Sequence, residues 1–170
     1  TGWWPLISSN GSDATSLSKT ARYNGTSGGM NSNGVVNASL NYWYNNRPLI
    51  GACANLTIAN DVYILNGSVS INDATCFNIT AQSITLDCAG FSITGNNAAN
   101  TYGIYSNQFK TTLKNCNISN FYYGVYFNGV TSGKIQNVSV AAATTNGIHI
   151  YSGANNTIIN SNGTSNTGSG

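Results

Sequence analysis

The chain has 170 residues, of which 41% are apolar and only 6% carry a charge. Six lysines and arginines, four aspartates and no glutamate give a net charge of +2, which excludes a basic surface for nucleic acid or anionic lipid. No run of about 18 apolar residues occurs, so we predict no membrane span. The sequence starts at Thr1 without an apolar signal segment, so we expect a processed or excised form, with any signal already removed.

Residues 1–52 are the first predicted region. They are rich in Gly, Ser, Asn and Thr, carry the aromatic clusters "GWW" and "NYWYNN", and follow no regular repeat. We predict an irregular, β-rich N-terminal cap that covers the open end of the region that follows. "GWWPL" also resembles the opening strand of laminin-G-like sandwiches, although too few residues follow for a whole one.

The second region, residues 53–170, contains an internal repeat. "YGIYS" from Tyr102, "YGVYF" from Tyr123 and "NGIHI" from Asn146 align, and each has a glycine in second place. A second set, "TTLKNCNIS", "GKIQNVSV" and "NTIINSNG", recurs in step with the first. The period, about 22 residues, is too short for two helices, and its β-branched and aromatic residues, punctuated by Gly and Asn, favour short strands with bends between them.

Stacking such units predicts an all-β fold, a right-handed parallel β-helix with coils of about 22 residues. Equivalent positions of successive coils then lie about 4.8 Å apart. We expect two buried aliphatic stacks, a ladder of asparagine amides along the axis, and glycines at bends where a side chain would obstruct the backbone. These positions are Leu113, Ile135 and Ile158; Ile104, Val125 and Ile148; Asn115, Asn137 and Asn160; and Gly103, Gly124 and Gly147.

The segment "CFNITAQSITLDCAGFSITGN" from Cys76, followed by "TTLKNCNIS" and "YGVYF", resembles the parallel β-helix repeat proteins of the NosD-like and pectate-lyase-like superfamily. It is especially similar to the secreted versions common in archaea. The resemblance covers about two thirds of the chain, from Cys53 to Gly170. It implies the fold; it leaves function open, because the superfamily includes lyases, hydrolases, binding proteins and inert surface spacers.

The four cysteines fit the same repeat. Cys53 and Cys76 lie one coil apart, and so do Cys88 and Cys116 if "GNNAANT" (95–101) is an insertion. We therefore favour these two disulfides, because neighbouring coils bring Cα atoms into bonding range. Other pairings and four reduced, buried thiols remain alternatives. No C-x-x-C pair occurs and His149 is the only histidine, so a zinc site is not predicted.

Ten Asn-x-Ser/Thr sequons make the chain a candidate for N-glycosylation, although their number exceeds chance only modestly. Scarce lysine, absent glutamate, abundant asparagine and four cysteines favour a secreted or cell-surface protein. The partners expected are therefore N-linked glycans. The sequons are Asn10, Asn24, Asn37, Asn55, Asn66, Asn78, Asn117, Asn137, Asn155 and Asn162.

Catalytic machinery is not predicted. Glycoside hydrolases need two convergent carboxylates, and lyases of this kind use a carboxylate-bound Ca²⁺ with a basic residue. Asp13, Asp61, Asp73 and Asp87 do not fall at one-coil spacing on a shared face. We therefore assign no catalytic residue, metal ligand or cofactor, and a carbohydrate-active lyase or hydrolase is the second alternative function.

One outward row of aromatic side chains is a candidate binding surface. In "GIHI", Ile148 and Ile150 point inward, so His149 points outward, in line with Tyr126 and Tyr105 of the preceding coils. Sugar rings stack on aromatic faces, so a glycan-binding or adhesion module is the first alternative function. The simpler interpretation is that the row shields the sheet and braces neighbouring coils.

The favoured function is a structural surface protein, a glycosylated subunit of a filament, sheath or stalk. The next glycine of the repeat is due between residues 168 and 170, and the strand after it is missing. Gly2, Trp3, Trp4 and Leu6 resemble that missing strand, so we predict a homopolymer in which they join the last coil of another subunit. The alternative is that the native chain continues with more coils. Surface polysaccharide is a further candidate partner.

Overall fold

The computed structural model describes residues 48–168. Within this range all regular structure is β, which agrees with the β-branched and aromatic runs between Gly and Asn bends. The strands are Leu49–Ile50 (β1), Ala54–Leu56 (β2), Val62–Leu65 (β3), Val69–Ser70 (β4), Phe77–Ile79 (β5), Thr85–Asp87 (β6), Ser92–Thr94 (β7), Tyr102–Ser106 (β8), Thr112–Ser119 (β9), Tyr123–Asn128 (β10), Lys134–Ala143 (β11), Asn146–Tyr151 (β12), Thr157–Ile159 (β13) and Asn162–Ser165 (β14).

The strands pair in parallel between successive coils and form two sheets. The first sheet has the order β1-β3-β6-β9-β11-β13, with β7 also on β9, β4 on β7 and β14 on β11. The second has the order β12-β10-β8-β5-β2. The result is a right-handed parallel β-solenoid of about five turns, with coils of about 23 residues. The predicted fold is confirmed.

The solenoid begins ahead of the predicted boundary between residues 52 and 53, because β1 already pairs with β3. The compact unit that contains it starts at Pro48. Residues 1–47 of the predicted cap lie outside the described residues, and with them the candidate joint Gly2, Trp3, Trp4 and Leu6.

The predicted coil-to-coil alignment is confirmed on both sheets. Val125 lies opposite Ile104 and Ile148, and Ile135 lies opposite Leu113 and Ile158. Four of these six side chains are almost fully buried, and Ile148 packs against the core. Burial of Ile158 was predicted and is wrong: its side chain is 48% exposed, because β13 is the outermost strand of its sheet in the described range.

The predicted disulfides are both present. Cys53 bonds to Cys76 and Cys88 to Cys116, with Cα–Cα distances of 4.5 and 4.8 Å. All four cysteines lie within the described residues and none is free, in agreement with the favoured pairing. The insertion at residues 95–101 lies between β7 and β8, and it lengthens the coil that Cys88–Cys116 closes.

The predicted asparagine ladder is present only in part. Asn137 Nδ2 donates to Asn115 Oδ1 at 3.2 Å, but Asn115 Nδ2 then donates to Asp87 Oδ1 at 2.9 Å, and Asn160 is exposed. What the three asparagines share is a left-handed backbone, with φ of 57°, 53° and 47°. Asparagine adopts this conformation more readily than other residues with a side chain. The left-handed bend therefore explains why asparagine recurs at this position better than hydrogen bonding between the side-chain amides does.

Replacing Asn137 with leucine is expected to destabilise the solenoid by about 1–2 kcal/mol, the cost of a left-handed conformation for an ordinary side chain. Asn137→Gly removes the same amide bond but tolerates the bend, so it should cost less than Asn137→Leu. Denaturant unfolding of both variants measures the difference. If both variants lost the same free energy of unfolding, the stabilisation would instead come from the hydrogen bond between the side chains of Asn137 and Asn115.

The repeated glycines lie inside strands rather than at the predicted bends, which corrects that assignment. Gly103, Gly124 and Gly147 are each the second residue of a strand. A Cβ on Gly103 would lie 2.5 Å from Ile118 Cγ2 of the first sheet and 2.6 Å from the Gly124 carbonyl oxygen. Glycine is therefore required because the two sheets approach closely at this position.

Candidate functional site

The outward surface of the second sheet carries the aromatic row that the sequence predicts. Tyr126 lies opposite Tyr105 on β8 and His149 on β12. The Tyr105 and Tyr126 ring centroids are 5.7 Å apart, and those of Tyr126 and His149 are 5.1 Å apart. The alignment of these three side chains on one surface is confirmed, while a binding role for them stays a prediction.

Two more tyrosines, which sequence reasoning missed, extend this row into a cluster. Tyr102 and Tyr123 lie opposite each other on β8 and β10, with ring centroids 5.6 Å apart and the rings stacked. Tyr123 also stacks on Tyr126 at 5.2 Å. We call Tyr102, Tyr105, Tyr123, Tyr126 and His149 the aromatic face.

A break in strand alternation brings Tyr102 and Tyr105 to the same surface. Both Gly103 and Ile104 between them are buried, so two consecutive residues face the core. Tyr102 then points outward three positions before Tyr105, and their ring centroids are 5.4 Å apart. The same pattern recurs in β10 with Gly124 and Val125. The signal in the sequence was the tyrosine that precedes each of these two glycines.

The aromatic face combines apolar ring surfaces with phenol and imidazole groups, and none of its five residues is a carboxylate. The pKa values of Tyr102 and Tyr126 are raised above the ordinary value of 10.0. The larger cause is partial burial, and the smaller is electrostatic repulsion from neighbouring phenols. These phenols are therefore neutral hydrogen-bonding groups near neutral pH. His149 Nδ1 is buried without a hydrogen-bond partner among the described residues. Such a surface offers aromatic ring faces and neutral hydrogen-bonding groups to a ligand.

Two sequon asparagines continue the aromatic row into the earlier coils. Asn78 on β5 lies opposite Tyr105, and Asn55 on β2 lies opposite Asn78. The outward positions of the sheet thus run Asn55, Asn78, Tyr105, Tyr126 and His149. Asn78 is half-buried and Asn55 is exposed.

The remaining described sequons are exposed but differ in their side-chain contacts. Asn117 Nδ2 donates to the Gly90 carbonyl oxygen at 2.8 Å, and Asn137 Nδ2 is bound to Asn115. Attachment of a sugar to these nitrogens would compete with both bonds. The other three exposed positions are Asn66, Asn155 and Asn162, while Asn10, Asn24 and Asn37 lie outside the described residues.

The described aspartates lie on separate segments, where each accepts hydrogen bonds from nearby protein groups. Asp61 Oδ1 accepts from the Val62 backbone amide at 2.7 Å, and Asp73 Oδ1 accepts from Asn96 Nδ2 at 2.9 Å. Asp87 accepts from the Ala89 backbone amide and from Asn115, and pairs with Lys114 Nζ at 3.0 Å. No group of three His, Cys, Asp or Glu residues able to hold a metal occurs between residues 48 and 168. The same range contains no helix that is long and apolar enough to cross a membrane.

Acid should weaken the coil contact made by Asp87. Burial alone would raise the pKa of this carboxyl, but bonds from Asn115, Ala89 and Lys114 together hold it below 3.8. A lowered folded-state pKa gives stability that is present above 3.8 and is lost as pH falls through the folded value. We expect Asp87→Asn to cost about 1 kcal/mol at pH 7 and less at pH 2. Urea unfolding at both pH values tests this, and an equal loss at both would contradict it.

Comparison with known families supports the same architecture. Residues 102–170 match the family model described as a right handed beta helix region. Neither the curated proteins nor the solved structures include a significant match to the chain. The matched segment covers the coils with the most regular repeat, and the solenoid extends through the earlier coils from β1. Residues 48–168 thus form a right-handed parallel β-helix, which is consistent with the β-helix repeat superfamily of pectate-lyase-like and NosD-like proteins.

Proposed function

We propose that this protein is a non-enzymatic structural component of the extracellular space or cell surface. The observation that carries the proposal is the set of contacts made by the three aspartates between residues 48 and 168, while Asp13 lies outside the described residues. Asp61, Asp73 and Asp87 bind neighbouring backbone or coil-spanning side chains on three separate segments. A hydrolase needs two carboxylates facing one substrate bond, and a calcium-dependent lyase needs several around one ion.

The disulfides support an extracytoplasmic location. Two bonds that join successive coils indicate an oxidising environment, because cytosolic thiols are kept reduced. The sparse charge and abundant asparagine suit a surface made soluble by neutral polar groups and glycans. Peptide mass mapping of the native protein should find sugar on several sequons. Bare asparagine at every sequon would contradict the glycoprotein part of this proposal.

Head-to-tail assembly is the finer part of the proposal. Ile158 on β13, the outermost strand of its sheet between residues 48 and 168, would be buried if a strand of another subunit or a further coil of the native chain paired there. We expect electron microscopy of the native material to find filaments, and deletion of residues 1–6 to shorten or abolish them. Fibres of normal length from the deletion variant would remove these residues from the joint, and single particles throughout would contradict assembly.

A glycan-binding module is the second candidate, favoured by the aromatic face. Its stacked rings and neutral phenols are suited to the C–H faces and hydroxyls of sugars. Tyr126→Ala should then abolish saturable binding to surface polysaccharide, whereas Tyr126→Phe should retain most of it. Phe109→Ala is the matched control, because Phe109 is an exposed aromatic between β8 and β9, outside the aromatic face. Equal binding by all three variants would contradict this function.

A further inference from the structure

We propose that Asn78 is a glycosylation site whose attached sugar packs against Tyr105, so that the aromatic face binds the protein's own glycan. The proposal rests on the proposed export and N-glycosylation, and it adds the site and the ligand. Its occupant is the first N-acetylhexosamine of the glycan on Asn78.

The alignment of the strands brings the attachment point to the aromatic face. Asn78 lies directly opposite Tyr105 in the parallel pair β5–β8. Adjacent strands are about 4.8 Å apart, which is close to the 5.1–5.7 Å between the ring centroids along the row Tyr105, Tyr126 and His149. A sugar ring on Asn78 would therefore extend the stack by one further ring.

The side-chain hydrogen bond of Tyr105 is made on the side of the ring away from Asn78. The Tyr105 hydroxyl accepts a hydrogen bond from Asn128 Nδ2 of the following coil at 3.4 Å. Asn128 and Asn78 therefore lie on opposite sides of Tyr105, in the following and the preceding coil. Within residues 48–168, the side-chain amide of Asn78 makes no hydrogen bond that glycosylation would break. The side-chain amides of Asn117 and Asn137 each make one.

The other described sequons lack this neighbour. Asn55 is one strand further away, with Asn78 between it and Tyr105. Asn162 lies on β14 of the first sheet, so it serves as a matched control. A hexose presents C–H groups on one face and hydroxyls at its rim, and the aromatic face offers ring surface together with neutral phenols.

The first test observes the contact directly. The full chain is secreted from a glycosylating eukaryotic host, and its glycans are trimmed to a single N-acetylglucosamine. Peptide mapping should find this sugar on Asn78, and NMR should detect nuclear Overhauser effects between its protons and the Tyr105 ring. These measurements need no substitution, so they are independent of whether any variant folds.

The second test measures the coupling between sugar and ring. In the glycosylated protein, Asn78→Gln should lower Tm by about 2–4 °C, the shift that about 1 kcal/mol produces in a domain of this size. The shift should vanish in the Tyr105→Ala background and in protein made without glycans, while Asn162→Gln should not depend on Tyr105. Tyr105→Leu replaces Tyr105→Ala if the latter does not fold.

Each outcome has a distinct meaning. An occupied Asn78 with Overhauser contacts and coupled Tm shifts supports the proposal. The proposal is overturned if Asn78 is occupied but the Overhauser contacts or the coupled Tm shifts are absent, or if Asn78 is empty while other sequons are occupied. In these cases the proposal that the protein is glycosylated still stands. Bare asparagine at all sequons overturns both. Contacts of Tyr105 with added free polysaccharide alone would instead support the glycan-binding module.

Discussion

Gly124→Ala should destabilise the solenoid by about 3 kcal/mol, the upper part of the range for overpacked cores. The new Cβ would overlap Val140 Cγ1 and lie 2.7 Å from the Gly147 carbonyl oxygen. Neither group can move freely, because Val140 is buried in the first sheet and Gly147 belongs to the adjacent strand. The loss should appear as a lower urea midpoint with an unchanged slope.

Gly67→Ala is the matched control for this substitution. A Cβ on Gly67 would meet no atom within 4 Å, and Gly67 is not among the positive-φ glycines. We expect a change within about 0.5 kcal/mol. If Gly124→Ala were as mild as Gly67→Ala, the close approach of the two sheets at β10 would be wrong.

Removing the second disulfide should cost a comparable amount. The Cys88–Cys116 bond spans 28 residues, and closing a loop of this length stabilises a fold by about 3–4 kcal/mol in the chain-entropy model. The paired substitution Cys88→Ala with Cys116→Ala should lower the free energy of unfolding by that amount. Both cysteines are buried, so alanine introduces no unpaired polar group.

Reduction provides the control for the disulfide prediction. Reductant should destabilise the wild-type protein more than the paired variant, because the variant retains only Cys53–Cys76. A loss below about 1 kcal/mol in the variant, with full sensitivity to reductant, would contradict the stabilising role of Cys88–Cys116.

The sequence predicts this fold well because two periodicities coincide. Alternation of period two places Ile104, Val125 and Ile148 inside, and the coil-length repeat of the sequence places them opposite one another. The cysteines obey the same repeat once the insertion at residues 95–101 is recognised. Where the strands are regular, the pattern of apolar and polar side chains therefore predicts which residues of successive coils lie opposite one another.

Irregular backbone explains what the sequence did not predict. One corner of the solenoid repeats a left-handed conformation at Asn60, Ser83, Lys110, Ser132 and Asn155, with φ of 61°, 57°, 55°, 56° and 55°. The residue type changes from coil to coil, so no composition signal identifies the corner. The coils are held there by backbone bonds, as from the Ser83 amide to the Phe109 carbonyl at 2.8 Å.

The candidate site was predicted in part for the same reason. Tyr105, Tyr126 and His149 follow regular alternation and were predicted together. Tyr102 and Tyr123 reach the same surface only because two consecutive residues turn inward after each of them. The segment between Asn78 and Tyr105 contains the insertion. Aligning these two residues from the sequence would require knowing where the insertion begins and ends, whereas the strand pairing shows their alignment directly.

A structural, non-catalytic role is the central claim, and polysaccharide turnover tests it most directly. The native protein is incubated with acidic and neutral polysaccharides, with and without Ca²⁺, while new reducing ends and unsaturated products are measured. We predict no product above the buffer control. Product release that is lost on replacing Asp61, Asp73 or Asp87 with asparagine, in variants that remain folded, would contradict the claim.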